Sequence, residues 1–76
     1  MCGIIGINSN KPVSATIINS LKKLEYRGYD SAGMATLNNG LINEVKSEGR
    51  VENLEKNSLV QSMAGTIGIG HVRWAT

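Results

Sequence analysis

A chain of 76 residues, 41% hydrophobic and 18% charged, has room for one small domain. A domain of that size buries only about 60% of the surface its unfolded chain exposes, so its core is thin. One cysteine excludes an intrachain disulfide, and a net charge of +2 spread among three aromatic residues lacks the basic, aromatic stripe of a nucleic-acid binder.

No apolar run approaches the ~18 residues of a membrane span. No charged segment followed by a long apolar stretch marks a secretory signal. The expectation is a cytoplasmic protein with neither nucleic acid nor membrane as partner.

In chain order, Cys2 to Asn8 has the β-branched Ile4, Ile5 and Ile7 and stops at Ser9-Asn10-Lys11-Pro12, which predicts a strand. A helix follows, with Ser14 as its expected N-cap and Ile17, Ile18, Leu21 and Leu24 on one face. Lys22 and Lys23 suit its negative end, and Gly28 is the expected stop in a left-handed conformation. Ala32–Leu37 and Leu41–Lys46 are predicted strands joined at Asn39-Gly40, a pair that favours a tight hairpin turn. Val51 to Met63 is expected to form one helix presenting Val51, Leu54, Val60 and Met63. Thr66 to Arg73 is a last strand in which Ile67 and Ile69 alternate with Gly68 and Gly70. The two glycines leave room for something packed against that face. The chain then runs into Trp74-Ala75-Thr76 without a turn or polar tail, which suggests the front part of something larger.

Among candidate reactive groups, Cys2 comes first. A thiolate is the nucleophile, and an ordinary thiol titrates near pH 8.5, so a base must help it at neutral pH. Removal of Met1 would give Cys2 a free α-amine, whose pKa of about 7.7–8.0 suits a general base. The other reading is a small apolar residue at a strand's start. His71, flanked by Gly70 and Val72 and without metal-ligand spacing, is expected to be structural. Gly65 to Gly70 has the wrong glycine order for a phosphate loop, with no Lys-Ser/Thr following. Arg73 sits where the last strand leaves the sheet. Its planar guanidinium suits bidentate capture of a small carboxylate, although its position alone favours a surface or ion-paired arginine. Trp74 is either core or gate. Arg27 and Asp30 lie close enough in sequence to form a local pair. No metal or cofactor is called for.

MCGIIG at the start, LEYRGYDSAG over Leu24–Gly33 and GHVRWAT over Gly70–Thr76 resemble the class II glutamine amidotransferases, which are N-terminal-nucleophile hydrolases. The tyrosines of YRGYDSAG and the Trp of RWAT point within that class to the enzymes that aminate fructose 6-phosphate. The resemblance covers the chain from first residue to last. It implies an α+β fold, part of a four-layer arrangement of two β-sheets between helical layers, with residues 1–76 as the N-terminal segment of a glutaminase domain.

The resemblance further implies that Cys2 attacks the side-chain amide of L-glutamine, giving a glutamyl thioester and ammonia. Arg73 would hold the α-carboxylate, with Thr76 in the same pocket. Trp74 would belong to the loop that closes over glutamine, and Arg27 would help organise the site. The family's Asn-Gly oxyanion hole, its substrate-gripping Asp and its sugar-isomerase domains, which bind fructose 6-phosphate, are absent from these 76 residues. An oxyanion-hole donor alone is worth about 10²–10³ in rate. The isolated chain is therefore expected to be inactive, and the parent enzyme to be a homo-oligomer.

Overall fold

The computed structural model describes residues 2–74, and of Cys2 and Arg27 the backbone alone. Four strands, β1 (Cys2–Asn8), β2 (Ser31–Asn38), β3 (Leu41–Glu48) and β4 (Ile67–Arg73), form one antiparallel sheet in the order β1-β4-β2-β3. Helix α1 (Ser14–Leu24), with a single 3-10 turn over Glu25–Arg27, and the short α2 (Val51–Glu55) and α3 (Ser58–Gln61) complete the chain. The last strand is thus central, inserted between the first and second.

The hairpin forms as its turn chemistry requires. Asn38 pairs with Leu41, and the two residues between have φ of 52° (Asn39) and 78° (Gly40). Both values are positive, as the tight two-residue hairpin turn demands.

Helix α1 buries Ile17, Ile18 and Leu21 against the sheet. Two glycines of β4 make that approach possible. A Cβ on Gly68 would stand 2.7 Å from Ile17 Cδ1, and one on Gly70 would stand 2.6 Å from Ile17 Cγ2. The space expected over these glycines is therefore filled by α1 itself. Val13, Val51, Leu54, Val60, Met63, Ala32, Met34, Val45 and Val72 extend the same core.

Three local expectations change. Ser14 is the first helical residue rather than the cap; Val13 holds the N-cap position, and the Ser14 hydroxyl lies 3.5 Å from the Met63 carbonyl, to which it donates. The helix expected over Val51–Met63 breaks at Asn57, whose backbone is extended and whose side chain accepts from the Leu59 N–H at 2.9 Å. Asparagine caps a new helix more readily than it continues an old one, so the segment becomes two short helices on one buried face. Gly28 does end the α1 region, with φ 127° and ψ 172° after the 3-10 turn, outside the left-handed helical region.

The helices all lie on one face of the sheet. The opposite face is apolar and open: Ile4 is 78% exposed, Ile42 75% and Ile69 60%, with Ile67 and Leu37 beside them. A sheet face meant for water is normally polar. The described residues therefore supply one helical layer and one sheet of an α+β fold, with the second face of that sheet uncovered.

Candidate active site

The central placement of β4 brings separated parts of the chain together at one end of the sheet. Arg73 lies directly opposite Cys2 on β1 and opposite Ser31 on β2, and Ser31 in turn faces Glu48 on β3. Directly opposed residues of antiparallel strands have Cα atoms about 4.5–5.5 Å apart. The backbone of the sole cysteine and that of the arginine are therefore immediate neighbours across a strand pair.

The Arg73 side chain is 70% exposed, and its Nε lies 3.7 Å from Asp30 Oδ2. That distance is an ion pair rather than a hydrogen bond. Asp30 thus pairs with Arg73, while the local pair with Arg27 that the sequence suggested involves a side chain outside the described residues. The Arg27 and Cys2 side chains lie outside the described residues, as does Thr76. Trp74 follows β4 directly and packs, partly buried, against the core cluster.

His71 pairs with Ile4 on one side and Gly33 on the other. Its imidazole lies across Gly33, where an added Cβ would come within 2.6 Å of Nε2. This half-buried histidine is on the same open face of β4 as Arg73, and with Ser31, Lys46 and Glu48 it lines a shallow depression that Arg73 does not line. Among the described residues no group of three His, Cys, Asp or Glu side chains is placed to hold a metal ion.

Three contacts tie the segment before β2 to the corner between β3 and α2. The Val51 N–H donates to Glu25 Oε2 at 3.0 Å. The Gly49 N–H donates to the Asp30 carbonyl at 2.7 Å. The Arg50 guanidinium stands 4.4 Å from the centre of the Tyr29 ring, within cation–π range. Sequence reasoning missed all three. A charged cap supplied to α2 from 26 positions upstream leaves no mark in local sequence.

Comparison with known proteins places this geometry. Over all 76 residues the chain is 54% identical to the glutamine–fructose-6-phosphate aminotransferase [isomerizing] of Rhizobium meliloti, and 55% identical to the enzymes of that name from Brucella abortus and Clostridium acetobutylicum. Along its whole length the chain is similar to glutamine–fructose-6-phosphate aminotransferases. It spans 12% of the length of each of these relatives. No family model matches it.

Two solved structures share the fold. The allosteric regulatory enzyme of purine biosynthesis superposes with a TM-score of 0.86 at 25% identity, covering the whole of this chain and 16% of its own. The glutamine phosphoribosylpyrophosphate amidotransferase of B. subtilis, complexed with ADP and GMP, gives 0.85 at 24%, covering 99% of this chain and 16% of its own. The fold of this chain is thus, in part, that of glutamine amidotransferases of the N-terminal-nucleophile type. Among the described residues no helix is long and apolar enough to cross a membrane.

Proposed function

We propose that this chain supplies the nucleophile and a substrate anchor of a glutaminase site that feeds ammonia to fructose 6-phosphate, making glucosamine 6-phosphate in the cytoplasm. With Met1 removed, the Cys2 thiol gives its proton to its own α-amine and attacks the carboxamide carbon of L-glutamine. The C–N bond breaks, the leaving nitrogen takes that proton and departs as ammonia, and a glutamyl thioester remains. Water then hydrolyses the thioester to glutamate and restores the thiol. An amine near pKa 8 suits both directions of this transfer at neutral pH.

Arg73 binds the glutamine α-carboxylate, Thr76 lines the same pocket, Trp74 closes over it and Arg27 organises the loop. The observation that carries this reading is the direct pairing of Cys2 with Arg73 across β1 and β4. Glutamine has a carboxylate at one end and the reacting carboxamide at the other. Anchor and nucleophile on neighbouring strands suit a substrate with that layout, and a fixed reacting geometry is itself a large part of catalysis. The parent enzyme is a homo-oligomer in this account.

The open apolar face of the sheet favours a second reading for the 76 residues alone: they form an incomplete, non-catalytic piece that needs a second sheet. Both readings meet one experiment. A full-length protein carrying these residues forms glucosamine 6-phosphate from glutamine and fructose 6-phosphate, and Cys2→Ala abolishes it. The 76-residue chain alone hydrolyses no glutamine. Glutamine-dependent product from the Cys2→Ala protein overturns the first reading, and Cys2-dependent turnover by the short chain overturns the second.

A further inference from the structure

We propose that Asp30 is the positioning residue for Arg73, holding the guanidinium by its Nε edge and leaving the Nη end free for the substrate carboxylate. The inference rests on Arg73 as the carboxylate anchor and adds a residue that anchor needs.

An arginine that is 70% exposed at the end of a strand has many rotamers open to it. Fixing it when substrate arrives costs entropy, about 0.5–1.5 kcal/mol for a rotamer-rich side chain. A neighbouring anion that narrows those rotamers beforehand lowers that cost. Asp30 is such an anion, with Oδ2 at 3.7 Å from Nε. The separation exceeds a hydrogen bond, so the attraction orients the group without consuming its donors. A guanidinium binds carboxylate through two parallel N–H groups, and the Nη pair remains available for that fork.

Asp30 is itself well placed for the task. Its carbonyl accepts from the Gly49 N–H at 2.7 Å, at a residue whose φ of 85° favours glycine. The preceding Tyr29 lies under the Arg50 guanidinium, and the following Ser31 is locked in register between Arg73 and Glu48. A side chain on a backbone held from three directions orients its partner. Charge alone would act in the opposite sense, because an anion beside Arg73 competes with an incoming carboxylate. The two effects move the Michaelis constant in opposite directions.

The test is steady-state glutamine hydrolysis by the full-length protein and its Asp30→Asn variant, with thermal unfolding as the folding control. Asp30→Asn is expected to raise KM for glutamine about two- to fivefold, the span of an exposed ion pair, with kcat changed by less than about twofold. Asp30→Glu restores part of the loss. A primary carboxamide lacking the α-carboxylate is hydrolysed equally by wild type and Asp30→Asn. If Asp30→Asn does not fold, Asp30→Ser carries the same expectation. A KM that is unchanged or lower, or an equal loss on the carboxylate-free substrate, overturns the proposal. Arg73→Gln separates the two levels. If it leaves KM unchanged, the anchor assignment fails; if it raises KM while Asp30→Asn does not, the Asp30 proposal alone fails.

Discussion

The imidazole of His71 lies across the backbone of Gly33, so near that a methyl group at residue 33 would stand 2.6 Å from Nε2. The two residues face each other across β2 and β4, two positions from Arg73 and the row that contains Cys2. Gly33→Ala is expected to swing the ring off the open face of the sheet and, because that ring can move, to destabilise the protein by no more than about 1 kcal/mol. His71→Ala combined with Gly33→Ala should recover most of that loss. Urea unfolding of the four proteins in the double-mutant cycle measures the coupling, and strict additivity would contradict the contact.

Gly70 is the counterpart on the buried face. A Cβ there would meet Ile17 Cγ2 at 2.6 Å and Leu21 Cδ1 at 3.2 Å, so α1 must move away from β4. Gly70→Ala is expected to cost about 1–3 kcal/mol. Gly6→Ala is the control, since its nearest neighbour would be Ile69 Cγ2 at 3.9 Å on the open face. It should change stability by no more than about 0.5 kcal/mol. Equal losses at the two glycines would show that close approach of α1 is not what Gly70 provides.

Glu25 caps α2 from a distant segment, through its carboxylate and the Val51 N–H. Glu25→Gln keeps an acceptor of the same shape but removes the charge that complements the helix N-terminus. The expected loss is about 0.3–1 kcal/mol. Glu25→Ala also leaves the N–H without its acceptor and should cost more, about 0.5–2 kcal/mol. Hydrogen exchange at the Val51 amide is the local readout, with faster exchange in Glu25→Ala than in Glu25→Gln.

Glu52 provides a small acid dependence. The hydrogen bond from Lys56, with Nζ at 3.0 Å from Oε1, holds its carboxyl below the ordinary value of 4.5, and the charge of Lys56 adds to this. A group whose pKa falls on folding contributes stability above its unfolded pKa and loses it as pH drops through the folded value. The pair is exposed, so the contribution is slight and screened by salt. Glu52→Gln should lower the unfolding midpoint slightly at neutral pH, where the charged pair exists, and leave it unchanged well below pH 4.5, where the carboxyl is protonated in wild type as well. A larger change in acid than at neutral pH would contradict this sign.

Much of the local structure was legible because each signal was local. Asn39-Gly40 announces a turn that needs two positive φ values, and both are present. Ile17, Ile18 and Leu21 share a helical face and are all buried. The glycines alternating along β4 signal room above that strand, and α1 occupies it. The order β1-β4-β2-β3 was not legible, because strand neighbours far apart in sequence are chosen by packing rather than by local pattern.

The site divides the same way. Cys2 is recognisable from its place beside Met1, and Arg73 from its place at a strand's end. What joins them is the insertion of the last strand beside the first. The Asp30–Arg73 pair likewise depends on β4 lying beside β2, whereas the Glu25 cap and the Tyr29–Arg50 contact follow from the β2–β3 pairing that sets Ser31 opposite Glu48. A local rule pairs Arg27 with Asp30; the fold adds Arg73 as an Asp30 partner that no local rule names. The break at Asn57 was readable in principle, since asparagine is a strong cap, but the apolar spacing on either side continues across it.

The most direct test of the glutaminase account is the intact mass of the active full-length protein before and after reaction with a glutamine analogue carrying an electrophile in place of the carboxamide. The account predicts that Met1 is absent and that one adduct forms, on Cys2. Active protein that retains Met1, or an adduct on any other residue, would contradict it.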